Sequence, residues 1–183
     1  MDGKDERLIS ARLPAEAAIF LFAFPAPHEQ YIAVIFLRNY FIDATGGVDV
    51  ISVVHEVNRT IRESKASEGL VTVAIPAPGA GLVVVEPLPD IVARLKETSS
   101  FFPGGGSETK NRRKEDVAVG PRIASAMLGR TLSLPVDGGR LVLAPREEIV
   151  LVDFEPSPRR REFFVQVMGG DSAAQKGAPP RRR

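Results

Sequence analysis

The stretch "VTVAIPAPGAGLVVVEP", Val71 to Pro87, holds two apolar runs joined by a Pro/Gly turn. Between Thr72 and Glu86 no side chain can take or give a proton. The β-branched runs read as strands at 70–76 and 81–86, and the turn between them reads as a tight hairpin. Strand pairs of this kind, with helices elsewhere in the chain, define an α+β fold built on antiparallel sheets.

The chain has 183 residues, which sets one domain with spare length for tails as the expectation. Hydrophobic residues make up 44% of it, enough for a real core, and the formal net charge is +1. No global field therefore favours nucleic acid. There is no Cys, so disulfides, thiolate metal sites and cysteine nucleophiles are excluded, in keeping with a reducing cytoplasm. Only two histidines exist, His28 and His55, so a multi-histidine metal site is ruled out, and neither a metal nor a cofactor is expected. Residues 15–24, "AEAAIFLFAF", are the most membrane-like piece. A bilayer needs about 20 apolar residues, so they read as a buried strand or short helix. The start "MDGKDER" carries both charge signs, unlike a signal peptide.

Working outward, "YIAVIFLRNYFI" (31–42) reads as one long strand or two short ones. Gly46-Gly47 is a hairpin signal with "VDVISV" (48–53) as the return strand. Val54, Val57 and Ile61 recur at helical spacing, predicting a helix over 54–64. A second helix is predicted over 88–98, with Pro89 and Asp90 in its first turn. Residues 99–116 read as a polar, Gly-rich, mobile loop. A third helix is predicted over 119–129, starting near Pro121 and closed by Gly129. Four strands follow: "TLSLPV", "RLVLA", "EEIVLVDFE" and "EFFVQVMG". "DGG" (137–139) turns between the first two, and "PSPRRR" (156–161) between the last two. Eight or nine strands and three short helices result. Residues 171–183 lack apolar side chains to bury and read as a disordered basic tail.

Several segments carry potential chemistry. "PGGGS" (103–107) is not followed by Lys-Ser/Thr, so a flexible linker is a better reading than a phosphate cradle. "NRRK" (111–114), "RRR" (159–161) and "RRR" (181–183) could bind phosphates, but only Phe101 and Phe102 lie near such a run. A single-strand groove needs interleaved aromatics, so solvated charge is the better reading and nucleic acid is not an expected partner. The carboxylates of interest are Glu86, Asp90, Glu115, Asp116, Glu147 and Glu148. Glu86 ends an otherwise apolar strand, and His55 beside Glu56 reads as a solvated helix-start histidine.

The order of elements resembles the YjbQ-like family, an uncharacterised family also labelled "secondary thiamine-phosphate synthase enzyme". Members run "RES", a short link, "GLVTV", "PHTTAG", an "NE" pair, "EGNGDAH" leading a helix, "GPSLTVPV-GRLLLGTWQGIYLVEFDGPR" and "VQVLG". This chain has "IRESKASEGLVTV" at 61–73, "IPAPGAGLVVVEP" at 75–87 and "MLGRTLSLPVDGGRLVLAPREEIVLVDFEPSPRRREFFVQVMG" at 127–169. The resemblance covers about residues 39–170 and leaves 1–38 outside it, as an added β element or an overlong start. It implies a mixed α+β sandwich of antiparallel sheets assembled as a homotrimer, while the lack of cysteine sets the cytoplasm as the expected location.

The departures fall on the family's polar positions. The histidine and two threonines of "PHTTAG" are Ala77, Pro78 and Gly79 here, and "NE" is Val85-Glu86. "EGNGDAH" falls on "EDVAVGPR" (115–122), with Arg122 in place of the histidine. "GTWQG" is "APREE", with Arg146 and Glu147 in place of Trp and Gln. Arginine can bind an anion but keeps its proton and cannot act as a base. The joint loss implies a non-catalytic trimeric scaffold or an anion-binding protein. The alternatives are a weak thiamine-phosphate synthase-like enzyme acting on a phosphate or pyrophosphate ester, and a nucleic-acid-binding module. In the ligand readings Arg122 and Arg146 hold a phosphate-containing small molecule, Glu86 and Glu147 are the catalytic candidates, and all four converge beside the 76–81 turn. In the ligand-free reading both arginines pair with Glu86 and Glu147 and fill the old cavity.

Overall fold

A computed structural model describes residues 20–24, 31–98 and 108–171. Among these residues three sheets and three helices form an α+β fold. Strands β1 (Phe20–Phe24), β2 (Tyr31–Ala44), β11 (Arg159–Asp171), β4 (Ala66–Ala74), β8 (Thr131–Asp137) and β9 (Arg140–Leu141) form a six-stranded sheet in the order β1-β2-β11-β4-β8-β9. Strands β3 (Asp49–Ser52), β10 (Glu148–Asp153) and β5 (Ala80–Val85) form a three-stranded sheet in the order β3-β10-β5. A separate hairpin pairs β6 (Glu108–Lys110) with β7 (Asp116–Ala118). Every strand pairing is antiparallel.

The helices are α1 (Val54–Ser64), α2 (Pro89–Thr98) and α3 (Val119–Leu128), as their apolar spacing predicts. The strand pairing differs from the sequence reading. The Val71–Pro87 stretch is not a hairpin: β4 belongs to the six-stranded sheet and β5 to the three-stranded one. Gly46-Gly47 likewise carries the chain from β2 across to β3, and 154–158 carries it from β10 to β11. Of the four turns read as hairpins, only 137–139 is one, between β8 and β9. Pro76, Pro78, Pro156 and Pro158 have no N–H for a ladder, so the chain leaves its sheet at these positions. The three crossings meet at one end of the sandwich. Gly47 N donates to Pro156 O at 3.2 Å, and Phe154 N donates to Gly79 O at 2.8 Å.

Between the two large sheets lies the main core, with Val71, Val73, Phe163 and Val165 from one side and Leu82, Ile149 and Leu151 from the other. Alternate residues Val150 and Val152 face away, toward Ala124 and Leu128 of α3. Strand β10 is thus buried on both faces, which explains its near-continuous apolar run. Helix α1 closes the core beside this sheet through Val57 and Ile61. Tyr40 stacks on Phe163 with ring centroids 5.4 Å apart, and its hydroxyl meets Thr60 Oγ1 at 2.8 Å.

Two sequence boundaries shift. Eleven strands are present among the described residues, rather than eight or nine in the chain. The second half of the polar segment 99–116 is not loop but strand and turn. Asn111 Oδ1 accepts the backbone N–H groups of Arg113 (2.8 Å) and Glu115 (3.1 Å), and Lys110 pairs with Asp116 at 3.1 Å. Residues 99–107, with the Gly-rich run and Phe101-Phe102, lie outside the described residues, as do 1–19, 25–30 and the 172–183 tail. At the other terminus, residues 20–24 and 31–38, which lie outside the family resemblance, are strand and belong to the six-stranded sheet.

One buried group in α1 makes stability depend on pH. Glu56 is buried and its Oε2 has no hydrogen-bond partner among the described residues. Burial pushes its carboxyl above the ordinary carboxylate range, against the smaller opposing influence of a backbone hydrogen bond, His55 and Arg59. An acid whose folded pKa is raised destabilises the fold above that pKa and does not below its unfolded value, because the folded state then holds the extra proton. Glu56→Gln should therefore raise Tm by roughly 2–4 °C at pH 7. The gain should shrink to nothing near pH 4. Thermal scans of both proteins across this range check it; an equal gain at both pH values would contradict it.

Candidate functional site

The four residues singled out from sequence do not share one cavity. In the three-stranded sheet Asp153 pairs with Ala80, and Glu148 pairs with Val85. Those two pairs are five residues apart, about 17 Å along the strands. Glu86, Arg146 and Glu147 lie beyond the Val85 end, whereas Arg122 lies at the Ala80 end beside the Pro/Gly turn. The expected convergence of all four beside residues 76–81 is therefore corrected: only Arg122 is there.

At the Val85 end the groups shape a turn. Arg146 adopts φ +69°, and its guanidinium, 81% exposed, pairs with Glu86 at 3.0 Å. An ion pair this exposed contributes about 0–1 kcal/mol. Glu147 Oε2 accepts the Ala144 N–H at 3.0 Å, closing the turn that enters β10. Of the pairs expected in the ligand-free reading, that of Arg146 with Glu86 is present.

Arg122 sits in the first half of α3 and pairs instead with Glu155, a residue that sequence reading did not single out. Its Nη1 donates to Glu155 Oε1 at 2.9 Å and to Ala118 O at 3.0 Å. Glu155 is only 5% exposed in its side chain, and Arg159 Nη2 approaches its other oxygen at 3.5 Å. One buried carboxylate is therefore shared by two guanidiniums. Beneath it lies Gly79 at φ +87°, where an added Cβ would stand 2.5 Å from Glu155 Oε1. Only glycine admits both this backbone conformation and this carboxylate. Ser125 Oγ ties the turn to the helix, accepting from Gly79 N at 3.2 Å and donating to Arg122 O at 3.1 Å.

A second pair lies one turn of chain away. Arg161 grips Asp153 with two donors, Nη2 to Oδ1 at 2.8 Å and Nε to Oδ2, and both side chains are buried. Glu155 N also donates to Asp153 Oδ1 at 2.9 Å. Arg160 lies over the Phe41 ring at 4.4 Å. The "RRR" at 159–161 is thus the start of β11 rather than a turn: Arg159 and Arg160 stay exposed beside Glu155 and Phe41, and Arg161 is buried against Asp153. The visible signal was "VDFEPSPRRR": alternating acids facing alternating arginines across a Pro corner.

Outside these pairs an open groove of about 440 Å³ is lined by Pro78, Arg122, Ser125, Ala126, Gly129 and Arg130. It holds two guanidiniums and a hydroxyl already engaged in hydrogen bonds. Among the described residues no cluster of three or more His, Asp or Glu is placed to hold a metal ion. His55 is exposed at the start of α1, and His28 lies outside the described residues. No helix among the described residues is long and apolar enough to cross a membrane.

A six-stranded and a three-stranded antiparallel sheet, between which the chain passes repeatedly, with short helices on the flanks, define a mixed α+β sandwich. The profile of the family described as UPF0047 protein YjbQ-like matches residues 38–170, and the chain belongs to that family, whose function is unknown. The UPF0047 protein MJ1081 of Methanocaldococcus jannaschii is 24% identical over 135 residues, covering 73% of this chain and 94% of that protein. A YbjQ-like protein of unknown function from Sulfolobus solfataricus superposes with a TM-score of 0.68 at 17% identity, covering 75% of this chain and 99% of that one. The hypothetical protein APE1520 from Aeropyrum pernix does so at 0.65 and 23%, covering 73% and 98%. At these identities the solved structures establish the fold alone.

Proposed function

We propose that this chain is a non-catalytic, self-associating YjbQ-like protein in which the polar site of the family resemblance has become structural ion pairing. The observation that carries this reading is the Glu155 carboxylate. It occupies the space above Gly79, where the family motif has a threonine, and it is neutralised by Arg122 and Arg159. Arg122, standing at the family's histidine position, cannot relay a proton at neutral pH. Thiamine-phosphate synthase-like chemistry through Glu86 and Glu147 is disfavoured, because both lie about 17 Å away along the sheet from the turn. The working state in this reading is a homotrimer in the cytoplasm.

A second reading has one observation in its favour. Arg122 and Arg130 line the same groove, and Arg130 has no ion pair among the described residues. Two guanidiniums can hold a phosphate group in bidentate fashion. Thermal unfolding in millimolar inorganic phosphate and pyrophosphate separates the two readings. The structural reading predicts a Tm within about 1 °C of the ligand-free value. A bound anion at 100 times its Kd would add about 2.7 kcal/mol, several degrees in a chain of this length. Protection of that size, lost in both Arg122→Ala and Arg130→Ala, would replace the structural reading with the anion site.

A further inference from the structure

From Glu108 to Asp116 every residue of the β6–β7 hairpin is exposed, and among the described residues neither strand packs broadly on another element. A two-stranded hairpin on its own is marginally stable at best in water, so a loose loop would be the ordinary outcome. This loop is built instead. Asn111 holds it through five hydrogen bonds. Its Oδ1 accepts the N–H groups of Arg113 at 2.8 Å and Glu115 at 3.1 Å. Its backbone N donates to Glu115 O at 3.0 Å, and its backbone O accepts the Lys114 N–H at 2.9 Å. Its Nδ2 donates to Glu115 Oε2 at 2.8 Å. Lys114 completes the turn at φ +62°, a conformation that lysine adopts only at some cost.

Charge is sorted along the hairpin. Arg112, Arg113 and Lys114 stand together at the tip, and none of them has an ion pair among the described residues. The acids lie behind them: Glu115 is drawn to the Asn111 amide, and Asp116 pairs with Lys110 at 3.1 Å in the stem. Three like charges on adjacent residues repel, and a loose loop would let them spread. Fixing them on one turn lowers the ordering cost of meeting an anionic surface. Residues 108–118 carry no aromatic side chain on which bases could stack, so a single strand is a poor match. A duplex fits the shape. The major groove of B-DNA is about 12 Å wide and about 8.5 Å deep, and it admits a two-stranded β-ribbon. The stem pairs three residues of each strand, a rise of about 10 Å. In A-form RNA the corresponding groove is too narrow for a ribbon.

We propose that the β6–β7 hairpin is a sequence-independent contact for duplex DNA: its ribbon enters the major groove, and Arg112, Arg113 and Lys114 bind the flanking phosphates. This adds a function that the ion pairing around Glu155 neither needs nor excludes. The contact is electrostatic. Three neutralised phosphates give log K a slope of about −2.7 against log salt, so affinity falls about 40-fold between about 50 and 200 mM NaCl.

Fluorescence anisotropy of a labelled duplex of about 20 base pairs, titrated with the full chain, tests it. Wild type should bind with a micromolar Kd at about 50 mM NaCl and with that salt slope. Arg112→Gln/Arg113→Gln/Lys114→Asn keeps polar side chains and places at 114 a residue that tolerates φ +62°. It should lose about tenfold or more in affinity and most of the slope. Asn111→Ala keeps all three charges and frees the tip, so affinity should fall by about threefold or more while the slope persists. Circular dichroism confirms that each variant keeps the wild-type fold. No binding at about 50 mM NaCl, or a triple variant with wild-type affinity and slope, would overturn the proposal, the latter by moving the contact to other arginines. An Asn111→Ala variant that binds like wild type would overturn the role of the built tip. A single strand of the same length that binds more tightly than the duplex would overturn the groove. Vesicles of anionic phospholipid that bind where the duplex does not would replace DNA with a membrane surface.

Discussion

Gly69→Ala should lower Tm by about 10 °C, the effect expected from a loss of roughly 3–5 kcal/mol. Gly69 lies opposite Gly169 where β4 and β11 pair. A Cβ at Gly69 would stand 2.1 Å from Met168 O and 2.5 Å from Gly169 Cα, both backbone atoms that cannot rotate away. Its φ of +153° lies in the region that side-chain-bearing residues avoid. The reverse substitution, Gly169→Ala, would bring Cβ within 2.1 Å of Glu68 O and should cost a similar amount. Gly47→Ala is the control. It meets no atom within 4 Å and pays only the cost of φ +75°, about 1–2 kcal/mol. Thermal unfolding followed by circular dichroism measures all three. A Gly69→Ala shift no larger than that of Gly47→Ala would contradict the close crossing of the two strands.

Arg161→Ala should cost a comparable 3–5 kcal/mol, because it leaves the Asp153 carboxylate buried and unpaired. Asp153 is 1% exposed in its side chain and stands at the corner where β10 turns toward β11. Its remaining partner is the Glu155 N–H, which satisfies one oxygen only. The double replacement Asp153→Leu/Arg161→Met should recover most of the loss, since two apolar side chains remove both charges together. Urea unfolding of the single and double variants at one protein concentration gives the coupling. Additive losses would show that the two side chains do not act as a pair.

Local structure was legible in the sequence and long-range pairing was not. The helices over 54–64, 88–98 and 119–129 followed from apolar spacing and from Pro89, Pro121 and Gly129, and the structure places them within a residue or two. The strands were legible too, yet three of the four turns were assigned to hairpins that do not exist. A Gly- or Pro-containing turn between two apolar strands is compatible with a hairpin and with a crossing between stacked sheets. The deciding feature is what satisfies the backbone at the turn. Ile75 N donates to Arg130 O and Leu82 N to Gly129 O, both remote in sequence and beyond any local pattern.

The site divides the same way. The family resemblance located Ala77, Pro78, Gly79 and Arg122 in one region, and the structure brings Pro78 and Arg122 to one groove. Glu86 and Glu147 could not be separated from it by sequence, since strand length alone sends them to the far end of β5 and β10. Glu155 was missed because it follows an apolar strand and precedes a Pro corner, where an acid ordinarily faces water. Its burial depends on Gly79, 76 residues earlier, lacking a side chain.

The claim that Arg122 is now structural is tested most directly by urea unfolding of Arg122→Ala against wild type, at equal protein concentration and without phosphate or sulfate. Removing a ligand-binding or catalytic arginine commonly leaves a protein as stable or more so, because functional groups are often held at a cost to the fold. Removing a structural partner does the opposite. Without Arg122, Glu155 stays buried with only Arg159 at 3.5 Å. The predicted result is a loss of about 1–3 kcal/mol. An Arg122→Ala variant as stable as wild type, or more stable, would contradict the structural role and return Arg122 to a binding site.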